Sequence, residues 1–310
     1  MRRLRRLVSL SIYALAILAT AWSARAGANE VTVVISEDTP TYRDVANTIR
    51  GRLAPSKGVS IVKAAALDGL KLKPPHYLVA VGSQAAQALA TSDLDAPMLV
   101  TLLPKTAVDR LIAESRKDIN PRAISAVYLD QPIGRQFDFI RLILPEATRI
   151  GVLLGSESGK QYAVLQAAAL EKRMRLVAQS VGGERELAPT LQRLLPEIDV
   201  LLALPDPAVF NAGTIQFILL ASYRQGLPLI GFSATYVRAG AIASLHSTPA
   251  HIGEQAADML TAAMRGGALP PPQYPRQYAV ATNPHVARSL GIVIESEEAM
   301  LQRMRALDPR

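Results

Sequence analysis

Two apolar runs that stop at tight polar turns constrain this chain more than any other feature. Val200-Leu201-Leu202-Ala203-Leu204 is too short for a surface helix and hydrophobic without interruption, the pattern of a parallel strand covered on both faces. Pro205 and Pro207 cannot donate backbone N–H groups, so the ladder stops there. Asp206 is left at the carboxyl end of the strand, where open α/β sheets place their ligands. Tyr77-Leu78-Val79-Ala80-Val81-Gly82-Ser83-Gln84 repeats the arrangement. Two such units predict two lobes facing each other.

The rest of the chain agrees. Strands at Val31–Ser36, Gly58–Lys63, Tyr77–Val81, Met98–Leu103 and Ala123–Leu129 alternate with helices at Tyr42–Leu53, Ser83–Ala90 and Thr106–Lys117. That alternation means βαβ units and a parallel sheet. After Asp130-Gln131-Pro132 the pattern restarts, with strands at Arg149–Leu154, Leu176–Ser180, Val200–Leu204, Pro228–Gly231 and Ala241–Leu245. Helices are expected there at Lys160–Met174, Pro189–Leu194 and Ala208–Gln225. Four segments of the first half match four of the second, in order, at an offset of roughly 120 residues. The tail adds a helix at Ile252–Arg265, a Pro-rich link, a strand at Gln277–Ala281 and two final helices. A full set of strands already exists, so the tail should return to the first lobe and then to the second. The expected fold is α/β, two Rossmann-like lobes with parallel sheets joined by a multi-strand hinge. The first lobe takes residues 27–129 plus about 249–281, and the second 130–248 plus about 282–310.

Residues 1–26 read as a cleavable signal peptide. Arg2, Arg3, Arg5 and Arg6 precede an almost wholly apolar run, Leu7–Trp22, and then Ala24-Arg25-Ala26 supplies a small-x-small cleavage site. Those residues hold five of the positive charges and no acid, so the formal +8 of the whole chain falls to +3 without them. A residual charge of that size is weak evidence for nucleic-acid binding, and no nucleic-acid partner is expected. The chain has no cysteine, hence no lipid-anchor Cys, disulfide or thiolate site. The expected location is a periplasm, the expected state a monomer not embedded in a membrane.

Two lobes with the carboxyl ends of their strands facing one cleft form a container. Its lining should come from the loops after the strands: Ser36, Glu37, Ser83, Gln84 and Thr101 in the first lobe, and Ser156, Glu157, Asp206, Ser233 and Thr235 in the second. These hydroxyl, amide and carboxylate groups suit a small polar ligand, and helix starts at Ser83 and after Ser156 offer backbone donors. Each has a plainer reading. Ser83 and Ser156 are ordinary N-caps, Asp206 a turn residue, Glu37 a solvated acid, and Phe232 and Tyr236 core aromatics. Catalytic patterns are missing. His76, His246, His251 and His285 lack zinc-ligand spacing, and His246 and His251 read as surface or hinge residues. No Gly-x-Ser-x-Gly elbow occurs. Gly155-Ser-Glu-Ser-Gly-Lys160 imitates a phosphate loop, but Gln161 stands where magnesium would need Ser or Thr. No catalytic residue, metal or cofactor is therefore expected.

The residues also carry a resemblance. Leu144-Pro-Glu-Ala-Thr-Arg-Ile-Gly-Val-Leu, Val79-Ala-Val-Gly-Ser-Gln-Ala-Ala-Gln-Ala-Leu, Val237-Arg-Ala-Gly-Ala-Ile-Ala-Ser, Asn283-Pro284 and Leu290-Gly-Ile292 occur in the order typical of one family. The chain resembles the periplasmic substrate-binding proteins of ABC transporters, type I two-lobe fold, in the branch that includes binders of aromatic amino acids. The resemblance implies a binding role for Ser83, Gln84, Thr101, Ser156, Glu157 and Asp206, and docking on an ABC permease and its ATPase. The chain departs from the branch at two places. Leu102-Leu103 replaces a polar segment after Thr101, and Ser233-Ala234-Thr235 lacks the carboxylate common after Phe232, which argues against recognition of a free α-amino group. The expected function is delivery of a small ligand to an importer. Two other classes remain: a sensor that presents its closed form to a receptor kinase, and a periplasmic enzyme that turns its ligand over.

Overall fold

The computed structural model describes residues 30–53, 58–67, 71–72, 76–115 and 123–308; the expected signal peptide lies outside them. Two sheets account for the strands. The first contains β1 (Glu30–Ile35), β2 (Val59–Lys63), β3 (His76–Val81), β4 (Met98–Leu103) and β5 (Ile124–Tyr128), in the order β2-β1-β3-β4-β5 and parallel throughout. The second contains β6 (Arg149–Leu154), β7 (Arg175–Ser180), β8 (Val200–Leu202), β9 (Leu229–Gly231), β10 (Ala243–His246) and β11 (Ala279–Thr282), in the order β11-β10-β9-β8-β6-β7. Only β11 runs antiparallel to its neighbour.

The central strands are apolar along their whole length because both faces are covered. On one face of the first sheet, Val31, Val33, Val79 and Leu99 pack under α1 (Pro40–Leu53) and the tail helix. On the other, Val34, Leu78, Met98 and Val100 meet α2 (Ser83–Ala90) and α3 (Lys105–Ser115). In the second sheet, Ile150, Val152, Val200 and Leu202 face α4 (Ile133–Ile143) and α5 (Tyr162–Glu171), with Phe137, Phe139 and Leu165 wholly buried. Leu153, Leu201 and Leu229 face α6 (Glu184–Leu194) and α7 (Ile215–Arg224).

Two helix starts differ most from the sequence expectation. The helix expected from Ala208 starts only at Ile215, because Asn211 holds the preceding residues in a turn; its Oδ1 accepts from Gly213 N (2.9 Å) and Thr214 N (3.2 Å). The helix expected from Pro189 starts at Glu184, with that proline inside it. The final β9–β10 crossover passes through a single short helix, α8 (Ala234–Ala239).

The tail contributes to both sheets. Helix α9 (Pro249–Gly266) returns to the first sheet and packs on α1 so closely that a Cβ on Gly253 would lie 2.7 Å from Thr48 Cβ. Thr248 caps it: its Oγ1 accepts from His251 N (3.2 Å), and its own N–H donates to His251 Nδ1 (3.4 Å). Gln273 then extends the first sheet beside β5. The strand expected at Gln277–Ala281 is corrected in one respect: as β11 it pairs with β10, so the chain has already returned to the second lobe by Ala279. Helices α10 (Pro284–Ser289) and α11 (Glu297–Leu307) finish the second lobe, Met300 and Met304 entering its core.

The chain thus crosses between sheets near Leu129–Pro132, near His246–Thr248 and near Tyr274–Tyr278. Side chains lace these crossings together. Gln131 Nε2 donates to Ser247 Oγ (2.8 Å), and Ser247 Oγ donates to the carbonyl of Gln277 (2.6 Å). Arg135 joins them by donating to Gln131 Oε1 (2.7 Å) and to the Pro275 carbonyl (3.1 Å).

Candidate functional site

The carboxyl ends of both parallel sheets meet beside these crossings. Between them lies a crevice lined by Leu129, Asp130 and Gln131 after β5, by Ile133 and Gln136 of α4, and by Leu204, Phe232 and Leu245 of the second lobe. It has about 20 Å³ of free space, room for about one water molecule. Arg110 of α3 forms an ion pair with Glu157, which follows β6, so residues of the two sheets' flanking loops and helices touch. Glu157 is also within 3.3 Å of Lys160.

Three strand ends share a device in which a side chain from one strand caps the helix that follows its neighbour. Ser36, after β1, accepts from Ala85 N of α2 (2.9 Å) and donates to the Val81 carbonyl (2.9 Å). The close approach requires Gly82, at φ +89°, where a Cβ would sit 2.6 Å from Ser36 Oγ. Asp206, after β8, organises the turn after β6. Its Oδ2 accepts from Ser158 N (2.8 Å), Ser158 Oγ (2.7 Å) and Glu157 N (3.2 Å), and its Oδ1 accepts from Ala208 N (3.0 Å). Gly155 leaves the room, since a Cβ there would lie 2.6 Å from Asp206 Oδ2. Asp130, after β5, accepts from Lys105 N, the first N–H of α3, at 2.7 Å.

The residues expected in the cleft stand in different conditions. Ser83, Gln84, Glu37, Ser156 and Thr235 are exposed, and Glu157 and Ser233 half-buried. Gln84 Nε2 donates to Glu37 Oε1 (3.3 Å), while Thr235 accepts from Arg238 (2.9 Å). Two expectations are revised by burial. Thr101 is 0% exposed and its hydroxyl donates to the Ala80 carbonyl (3.1 Å) inside the sheet. Asp206 is 1% exposed with both oxygens taken, so its carboxylate serves the turn. Just beyond Thr101, Leu102 stands at φ +60°, a costly conformation for a residue with a Cβ, and the β4–β5 register shifts there. Phe232 packs on Tyr236 with ring centroids 4.4 Å apart, one ring lining the crevice and the other in the second-lobe core.

Sequence reasoning passed over Asp130 and Gln136. Both are buried, and Asp130 Oδ1 and Gln136 Oε1 have no hydrogen-bond partner. Burial pushes the Asp130 carboxyl up to about 6, against the opposing influence of the Lys105 N–H and ammonium. The Lys105 ammonium itself is turned to Asp109 (2.5 Å). The sequence carries the signal, since Asp130 ends β5 as Asp206 ends β8, but Asp130-Gln131-Pro132 also has the form of a boundary between lobes.

A family model described as ABC transporter substrate binding protein matches residues 52–304. The chain belongs to that family. No curated sequence matches this substrate-binding protein. Among solved structures, a conserved domain protein from Vibrio cholerae is 22% identical, with a TM-score of 0.64 over 89% of this chain and 98% of its own. An ABC domain from Streptococcus pneumoniae in complex with L-Trp is 19% identical, with a TM-score of 0.64 over 89% and 98%. A substrate-binding protein with adhesive properties from Clostridium difficile, in its ligand-free open form, is 17% identical, with a TM-score of 0.68 over 87% and 97%. All three share the two-lobe fold. Among the described residues, no helix of this substrate-binding protein is long and apolar enough to cross a membrane. None of its described His, Asp or Glu residues form a group of three or more that could hold a metal ion.

Proposed function

We propose that this substrate-binding protein is a periplasmic solute receptor that closes on a small ligand and hands it to an ABC importer. The observation that carries the reading is the crevice itself, built from the carboxyl ends of two sheets and flanked by laced chain crossings. Such crossings let the lobes swing while the crevice stays registered between them. A ligand that touches both lobes favours the closed form, and its differential affinity sets how far the equilibrium moves. The exposed or half-buried residues Ser36, Glu37, Ser83, Gln84, Ser156, Glu157, Ser233 and Thr235 form the rim that such a ligand passes. The L-Trp complex of the streptococcal neighbour makes an aromatic ligand a reasonable member of the first panel.

The test is a thermal-shift panel on residues 27–310 covering amino acids, amines, carboxylates, nucleosides and sugars. A ligand at about a hundred times its dissociation constant adds roughly 2.7 kcal/mol. For a protein of this size class that is roughly 5–10 °C in midpoint. One chemical class raising the midpoint, together with compaction in X-ray scattering, is the expected result. A panel in which nothing shifts and nothing compacts removes the receptor reading.

A further inference from the structure

The crevice holds two buried acceptors with nothing to accept from. Asp130 is 8% exposed and Gln136 6%, and each keeps one oxygen without a partner. Unpaired polar atoms at such depth are uncommon and costly in a folded protein, more so when the group carries charge. Oxygens that the fold leaves open, on two residues lining this crevice, mark the place where a ligand completes the hydrogen bonding.

The chemistry of that ligand follows from what surrounds the acceptors. Asp130 has a single donor, the Lys105 backbone N–H, and no cation within its hydrogen bonds; the Lys105 side chain is held by Asp109 and lies over the Tyr128 ring. Gln136 donates through Nε2 to the Leu245 carbonyl (3.3 Å), which orients its bare oxygen as an acceptor. The remaining wall is apolar, from Leu129, Ile133, Leu204, Leu245 and the Phe232 ring. A primary ammonium has three donors and a full positive charge, which answers one carboxylate and one amide oxygen together. We propose that the crevice takes the protonated amine end of a small ligand, with Asp130 as its ion-pair partner, Gln136 as a second acceptor and Phe232 against its carbon skeleton.

The proposal rests on the solute-receptor reading and changes one expectation within it. The acid absent after β9, where Ala234 stands, is supplied from the end of β5 instead. Space for more than about one water requires the lobes to part, and the Arg110–Glu157 pair is the contact that would open. The groups facing Asp130 are Lys105 and Asp109 of α3, with Tyr128 and Tyr274 beside them. Burial has raised the Asp130 carboxyl to about 6.

The experiment uses primary alkyl- and arylalkyl-amines and amino acids, each against its N-acetyl and its carboxylate counterpart, by thermal shift and then calorimetry. Compounds that bind should carry the free amine, and N-acetylation should abolish the shift. Asp130→Asn should cut affinity roughly 30-fold or more, and Gln136→Leu less. Asn can still accept from Lys105 N–H, so α3 keeps its cap and the variant should fold. Wild-type affinity for the amine should fall roughly tenfold per pH unit below about pH 6, as Asp130 takes up a proton. In Asp130→Asn that dependence should vanish. If carboxylates or sugars bind and amines do not, or if Asp130→Asn leaves amine affinity unchanged, this inference falls while the receptor reading stands. If no class binds at all, the receptor reading falls and takes this inference with it.

Discussion

Asp130 and Asp206 are the same kind of residue in the same kind of place. Each is a carboxylate at the end of a parallel strand, one after a strand of each sheet, each capping a helical turn from a neighbouring strand, and each nearly excluded from solvent. They differ in how much of their hydrogen-bonding capacity the fold consumes. Asp206 accepts from four donors spread over both oxygens, including the Ser158 hydroxyl. Asp130 accepts from one donor on one oxygen. A saturated buried carboxylate stabilises the architecture, whereas an unsaturated one destabilises it and has to be useful for some other reason. Position at a strand end does not separate the two roles. Unused bonding capacity does.

The largest effect that could break this contrast is on Asp206. Replacing it with Ala strands Glu157 N, Ser158 N, Ser158 Oγ and Ala208 N at once, and opens a void beside Gly155. Asp206→Ala should lose about 3 kcal/mol in urea unfolding, with any loss of ligand affinity following from a disordered turn. A variant as stable as the wild type that has lost ligand binding would make Asp206 a ligand contact and erase the distinction.

Asp130 should respond in the opposite direction. Its carboxyl titrates near 6 in the folded chain against an ordinary value of 3.8. Between those values the unfolded chain has released the proton and the folded chain still holds it, so stability falls as pH rises from about 4 to about 6. Above that the whole penalty is present. Asp130→Asn removes it, so the ligand-free variant should be more stable than wild type at pH 7.5, by on the order of 2 kcal/mol, with the gain vanishing near pH 3.5. Urea midpoints at the two pH values decide it. A variant less stable at pH 7.5 would mean that the carboxylate is compensated in the folded chain and that the contrast with Asp206 is one of degree.

The architecture was legible in the sequence because parallel strands buried on both faces read as unbroken apolar runs, and two sets of them in the same order leave few alternatives. The boundary errors came where side chains overrule pattern. Asn211 holds residues before Ile215 in a turn despite their helical look. β11 joins the second sheet through pairing with β10, which no local pattern encodes. The site was half legible. Sequence places Ser36, Asp206 and Thr101 at strand ends, but only coordinates reveal that Ser36 caps α2, that Thr101 bonds within its sheet and that Asp206 is fully occupied. Asp130 was hidden because Asp-Gln-Pro reads as a linker. Its partner Gln136 lies on the buried side of α4, where a polar residue gives no signal until its neighbours are known.

The smallest expected effect concerns the ion pair between Arg110 and Glu157. Arg110 is 51% exposed and Glu157 16%, so the pair across the lobes is partly solvated. Pairs of this kind contribute a few tenths of a kcal/mol to 1 kcal/mol and are screened by salt. That is too little to hold the fold, yet a contact of this size can bias two lobes only where their arrangements are nearly balanced in energy. Arg110→Ala should therefore leave the urea midpoint within about 0.5 kcal/mol of wild type. At low salt it should expand the ligand-free protein in X-ray scattering, and the difference from wild type should shrink at high salt. Equal radii of gyration at low salt would show that the laced crossings, through Gln131, Ser247 and Gln277, set the resting separation of the lobes without help from the rim. The contrast between the two carboxylates would then extend to the whole cleft. The groups whose bonds are complete would define its shape, and those whose bonds are open would wait for the ligand to close it.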